Sequence, residues 1–142
     1  MYTEDGFELR PVGDTMEIYA SGEQFHEANP PVVAAFRTFS ARMPITKVIC
    51  DVRLAAYILD PTEQEVRART TARALLPYKT AIVCLTGQRP LLERTAEKIR
   101  EHGGTAELFS SKSEARDWLA TQNAGAAEAP AVPTRQTAPG RA

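Results

Sequence analysis

The chain of 142 residues has two cysteines, two histidines and one tryptophan, and this scarcity removes several kinds of chemistry at once. The Cys and His residues show neither C-x-x-C nor H-x-x-x-H spacing, so no metal site is predicted. Cys50 and Cys84 lie inside apolar runs at 48–50 and 81–85 and are expected to be buried, reduced thiols. A catalytic thiol needs a base, and only His26 and His102 exist, both at predicted loop or helix-end positions. No charge of one sign dominates: 17 Lys and Arg face 18 Asp and Glu, a net charge of -1. The electrostatic footprint of a nucleic-acid binder is therefore missing. No apolar run approaches the about 18 residues of a membrane span. Residues 1–6 lack the basic and apolar regions of a signal peptide, so a cytoplasmic protein is expected.

What is present is a rhythm. From 45 to 119 an apolar run, an amphipathic helix pattern and a turn signal recur. Before it, 7–12 and 16–20 alternate apolar and polar residues around Gly13-Asp14, which predicts an antiparallel hairpin. Pro11 has no N–H to give a ladder, so the first strand is expected at an edge, where a homodimer can form. Asn29 and Pro30 or Pro31 open a helix with Val32, Val33, Phe36, Phe39 and Met43 on one face, and Pro44 stops it. The strand 46–52 is continuously apolar at its centre, as expected for burial on both faces. Asp60-Pro61-Thr62-Glu63 is a capping box opening a helix to about Leu76, after a predicted loop at 53–62. A strand at 80–85, a helix from Arg89-Pro90 to His102-Gly103-Gly104, a strand at 106–109 and a helix opened by Ser111-Lys112-Ser113-Glu114 follow. The predicted fold is α/β, a ββαβαβαβα mixed sheet flanked by helices over residues 1–122. Residues 123–142, rich in Ala and Pro and without aromatics, are predicted to be a disordered tail.

Several residues carry candidate chemistry. Asp51 ends the central strand, where α/β proteins place ligands, but the acidic pair and lysine of a phospho-accepting receiver are missing. An enzyme would need an acid/base pair such as Asp51 with His26. Gly87-Gln88-Arg89-Pro90 lacks the Gly-rich run and Lys-Ser/Thr of a phosphate loop, leaving Arg89 as an anion contact. Arg67, Arg69 and Arg73 crowd the second helix, either as a solvated face paired through Glu63–Arg67 and Glu65–Arg69 or as a patch for an acidic partner. The helix start at Asp60 and Thr62 favours negative charge, which makes Thr62 a candidate phosphosite. Trp118, with Ala115 and Leu119, is expected to pack in the core.

With this order of elements the chain resembles the STAS superfamily, within it the SpoIIAA-like branch with a STAS/SEC14-like fold. The residues that carry the resemblance are the N-terminal hairpin, Val48-Ile49-Cys50-Asp51-Val52, Thr80-Ala81-Ile82-Val83-Cys84-Leu85, and Ala106-Glu107-Leu108-Phe109 followed by Glu114-Ala115-Arg116-Asp117-Trp118-Leu119. It covers about residues 7–120. The resemblance implies a non-enzymatic regulatory or protein-interaction module of the anti-sigma-factor-antagonist kind. In those proteins an Asp-Ser motif at the start of the second helix is phosphorylated by a partner kinase. Here Asp60 matches the Asp, Pro61 stands at the phospho-acceptor and Thr62 is one position on, so the usual phospho-Ser is missing. A protein partner docking on Asp60, Thr62, Arg67, Arg69 and Arg73 is therefore expected, with no cofactor. The alternative, from the SEC14-like likeness, is a small apolar-ligand (lipid-like) binding domain, with the ligand between the first helix (Phe36, Phe39) and the sheet.

Overall fold

The computed structural model describes residues 2–4 and 6–126. Three strands precede the first helix: β1 (Tyr2–Glu4), β2 (Phe7–Val12) and β3 (Thr15–Phe25). Then α1 (Asn29–Ser40), β4 (Lys47–Ile58), α2 (Pro61–Leu75), β5 (Lys79–Val83), α3 (Arg89–Glu101), β6 (Thr105–Phe109) and α4 (Lys112–Ala126) follow. The six strands form one sheet in sequential order. The β1–β2 and β2–β3 pairs are antiparallel, and every later pair is parallel. The predicted mixed α/β sheet is present, with one strand more than the sequence pattern gives. At three residues β1 is too short to show an alternation, and it exists through its pairing with β2.

That pairing corrects the edge assignment. β1 covers Phe7–Leu9 of β2, so the sheet ends on β1, and only the 10–12 half of β2 lies beyond it. Pro11 sits in that uncovered half, where its missing N–H leaves no ladder bond unmade. The predicted hairpin turn is real: Gly13 takes φ +63°, a left-handed conformation that glycine adopts without penalty. The Asp14 carbonyl oxygen accepts from the backbone N–H groups of Thr46 (2.9 Å) and Lys47 (3.2 Å), tying the hairpin to the start of β4.

With sequential parallel strands, crossovers of one hand put their helices on one face. Accordingly α1, α2 and α3 share a single core cluster with the sheet, in which Phe36, Ala72, Leu75, Leu92, Ala96 and Ile99 meet Leu9, Met16, Ile18, Val48 and Ile82. The last helix, α4, lies alone on the opposite face, where Ala115, Leu119 and Trp118 pack on Ile49, Ala81, Val83 and Phe109. Among the described residues no other helix packs on that face. α4 runs to Ala126, past the predicted tail boundary at 122, and 127–142 lie outside the described residues. None of the described helices is long and apolar enough to cross a membrane.

The central strand departs most from its predicted form. It was expected to yield to a loop at 53, yet β4 continues to Ile58, paired with β3 as far as Phe25↔Ile58. A bulge separates its two halves: Tyr19 pairs with Asp51 and Ser21 with Leu54, so β4 carries one extra residue. The Gln88 side chain holds the bulge, its amide donating to the carbonyls of Val52 (2.7 Å) and Ala55 (2.9 Å) while its oxygen accepts from the Leu85 N–H (2.8 Å). The loop considered as a weak phosphate site therefore braces the central strand. Beyond the bulge, Ala55 and Tyr57 face the helices and Leu54 is 80 % exposed.

The capping box of α2 forms as predicted: the Asp60 carboxylate accepts from Glu63 N–H (2.8 Å) and the Glu63 carboxylate from Asp60 N–H (3.1 Å). Replacing Asp60 by Ala is expected to cost about 0.5–2 kcal/mol. Urea unfolding of Asp60→Ala checks this, and a midpoint unchanged from the parent would rule the cap out as a source of stability. In α4, Ser111 accepts from Glu114 N–H (3.2 Å), but the Glu114 carboxylate takes the Ser110 hydroxyl (3.2 Å) instead of closing the box.

Candidate functional site

The sheet face that carries three helices lines a cavity of about 80 Å³. Phe7 and Ile18 come from the sheet, Phe36 from α1, Leu75 from α2 and Leu92 from α3. Its wall is apolar apart from Arg67 and the polar groups of Asn29, Tyr57, Thr71 and Thr95. Phe36 also meets Tyr78 edge-on, with ring centroids 5.5 Å apart. Phe39 packs against the core but does not line the cavity.

Arg67 belongs to this interior and not to the surface patch read from the sequence. It is 8 % exposed. Its Nη1 lies 3.5 Å from the Phe25 carbonyl oxygen, and its guanidinium carbon 5.2 Å from the Tyr57 ring centroid. Burial lowers its pKa from the ordinary arginine value, and burial raises that of the Tyr57 hydroxyl. Helical periodicity contains the signal that separates the three arginines. Arg69 and Arg73 are four residues apart and share a face, whereas Arg67 is two from Arg69, across the helix, in the stripe of Thr71 and Leu75. The expected local ion pairs do not form either. Glu63 is committed to the cap, and Glu65 reaches α3, pairing with Arg94 and with Lys98 (2.6 Å).

Arg69 and Arg73 are exposed and come together with Lys98 and His102 in a groove of about 260 Å³ between α2 and α3. The α3 contribution was not foreseen, because it depends on which helix α2 packs against. Asp60 and Thr62 are exposed at the opposite end of α2, in its first turn.

The open face of the sheet holds a polar cluster that the sequence did not indicate. Glu17 is only 3 % exposed. Its carboxylate accepts from the Tyr19 hydroxyl (2.5 Å) and Arg116 (2.9 Å), and Lys112 lies 3.9 Å away while donating to the Tyr19 hydroxyl (2.5 Å). These contacts clamp the start of α4 onto β3. Beside them Arg53 holds Asp51 through its side chain (2.8 and 3.0 Å) and its backbone N–H (3.2 Å). Among the described residues His26 is not a partner of Asp51, so the particular pair Asp51–His26 is not brought together. Leu54 and Leu85 border this cleft, exposed by 80 % and 51 %.

Burial by itself would raise the Glu17 carboxyl, but the hydrogen bonds from Tyr19 and Arg116 and the Lys112 charge outweigh it, and its pKa lies below the ordinary carboxylate value. At Asp51 burial is likewise outweighed by Arg53, and the pKa is lowered. A carboxylate whose pKa is lower in the folded than in the unfolded chain adds stability above the unfolded value, and this is lost as pH falls through the folded value. Stability is therefore expected to decline below about pH 4. Urea titrations from neutral pH downward check this, and Glu17→Gln should flatten the decline; a slope equal to that of the parent would remove Glu17 as its source.

Cys50 and Cys84 are free. Burial pushes the Cys50 thiol up to about 12 and raises that of Cys84, so both stay protonated at neutral pH. Among the described residues no group of His, Cys, Asp and Glu is arranged to hold a metal ion.

No protein-family model and no curated protein matches the chain. Among solved structures it is similar to the anti-sigma factor antagonist SpoIIAA in its unphosphorylated form, with a TM-score of 0.53 and 19% identity over 80% of this chain and 97% of that one. The likeness establishes the fold: a STAS/SpoIIAA-type mixed sheet flanked by helices.

Proposed function

We propose that the protein is a non-enzymatic regulatory module that works by docking another protein, of the class an anti-sigma factor represents. The single observation that carries this reading is the SpoIIAA-type fold, spanning 80% of the chain. The docking surface is the exposed side of α2: Asp60 and Thr62 at its start, and Arg69 and Arg73 in the groove they share with Lys98 and His102. That groove suits an acidic segment of the partner. With Pro61 at the phospho-acceptor position, control by phosphorylation falls to Thr62 or is absent. The test is calorimetric titration with the anti-sigma-factor-type proteins of the same source. Arg69→Glu/Arg73→Glu is expected to weaken binding by at least about tenfold, with a salt-sensitive loss. Binding that survives the charge reversal moves the surface elsewhere, and no binding to any such protein removes the reading.

A second reading, a small apolar-ligand binding domain, is favoured by the cavity and by Phe36 in its wall. A ligand that binds only the folded state raises the melting temperature, by about 2.7 kcal/mol of added stability at a hundred times its Kd. A panel of small apolar compounds and lipids tests it by thermal shift; a flat response across the panel argues against it.

A further inference from the structure

Arg67 is the only charged residue in the cavity wall among the described residues, and nothing acidic faces it. None of the ion pairs among the described residues includes it. The Phe25 carbonyl, at 3.5 Å, sits at the outer limit of a hydrogen bond, and the Tyr57 ring is a weak, neutral partner. A guanidinium carries five N–H donors and keeps its charge inside proteins. Arginines this deeply buried are ordinarily paired, because an unpaired buried charge loses its hydration without replacement. Neither the Asn29 amide nor the Tyr57 hydroxyl hydrogen-bonds another described group through its side chain, and both line the same space. A cationic fork, further polar groups and apolar walls thus surround one small cavity, which is the composition of a ligand site.

On this basis, and resting on the second reading above, we infer that the cavity binds a short-chain aliphatic monocarboxylate, its carboxylate on Arg67 and its hydrocarbon body against Phe36, Leu75 and Leu92. The planar guanidinium matches a carboxylate with two parallel hydrogen bonds. A phosphate dianion would bring a second negative charge against apolar walls that hold no other cation. Size restricts the body. A dry cavity of about 150 Å³ accepts benzene, so the roughly 80 Å³ here takes an acid of the acetate or propionate class in place of a ring or a longer acyl chain.

Isothermal titration calorimetry of the full chain with sodium propionate and with its neutral isostere propionamide tests the assignment. The native chain is expected to bind propionate at least about tenfold more tightly than propionamide, and Arg67→Met to lose that preference while still binding propionamide. Equal affinity of the native chain for the two compounds would keep the apolar cavity as a binding site and overturn the carboxylate assignment. Propionate bound equally by Arg67→Met would place the anion elsewhere and overturn it too. Heat from neither compound overturns the assignment, while the second reading stands or falls with the thermal-shift panel. If Arg67→Met does not fold, the native comparison decides, supported by Arg67→Lys, which keeps the charge without the fork and should weaken propionate selectively.

Discussion

Arg67→Met is expected to make the ligand-free protein more stable, by about 1–4 kcal/mol, the range seen when buried ionic groups give way to well-packed apolar ones. Arg67 projects from α2 beside Ala68, which is fully buried, and its stem lies among apolar residues that a methionine side chain can meet. The substitution removes a charge whose hydration is lost on folding and forfeits only the long contact to the Phe25 carbonyl and the Tyr57 stacking. The measurement is the urea midpoint at an unchanged slope, since a changed slope would signal an altered unfolded state. A fall of more than about 1 kcal/mol would identify Arg67 as a tether of β3 through Phe25 and not as a group kept at a stability cost. The expected sign is the one found where function opposes stability, and it ties the variant to the carboxylate titration: the chain that binds less tightly should be the one that unfolds less readily.

Leu119→Ala is expected to destabilise by about 2–5 kcal/mol, the range for a buried leucine that leaves a cavity behind. Leu119 is 3 % exposed and packs in the small second cluster with Ile49, Ala81, Val83 and Ala115. That cluster holds the middle of α4 on the sheet, while the Glu17 and Tyr19 contacts to Lys112 and Arg116 act on its first two turns. The loss should be partly local. Amide exchange is expected to speed up in α4 well before the strands of the main core open, since elements with few buried contacts open separately from the rest. Uniform acceleration across β4, β5 and α4 would instead show that the two clusters fold as one unit.

The contrast between the two sites shows which kinds of information were legible. The Asp60 capping box, the Gly13-Asp14 turn, the stop after α1 and the apolar stripes of the helices each depend on a few neighbouring residues, and each was readable. The short strand β1 was not, because three residues carry no period; it is a strand only because β2 offers it an edge. The extension of β4 through Ile58 was missed for a related reason. The extra residue at the bulge shifts the alternation, and the support for it comes from Gln88, more than thirty positions away. The polar cluster around Glu17 likewise joins β3 to α4 across 93 and 99 positions, and no local pattern announces it.

For the candidate sites the division is sharper. The sequence itself determined the alternation of strands and helices, the hairpin, the caps and the shortage of catalytic and metal-binding groups, because these follow from composition and from periods of two and 3.6 residues. It also placed Arg67, Arg69 and Arg73 on one helix. Only the tertiary structure decided that Arg69 and Arg73 would line an outer groove with Lys98 and His102 while Arg67 turned inward, alone, to a cavity beside Tyr57. Which side of α2 meets the sheet depends on burying Ala68, Ala72 and Leu75 against strands and helices distant in the chain. That choice is made by the free energy of the whole core, and Arg67 is carried into the interior with it.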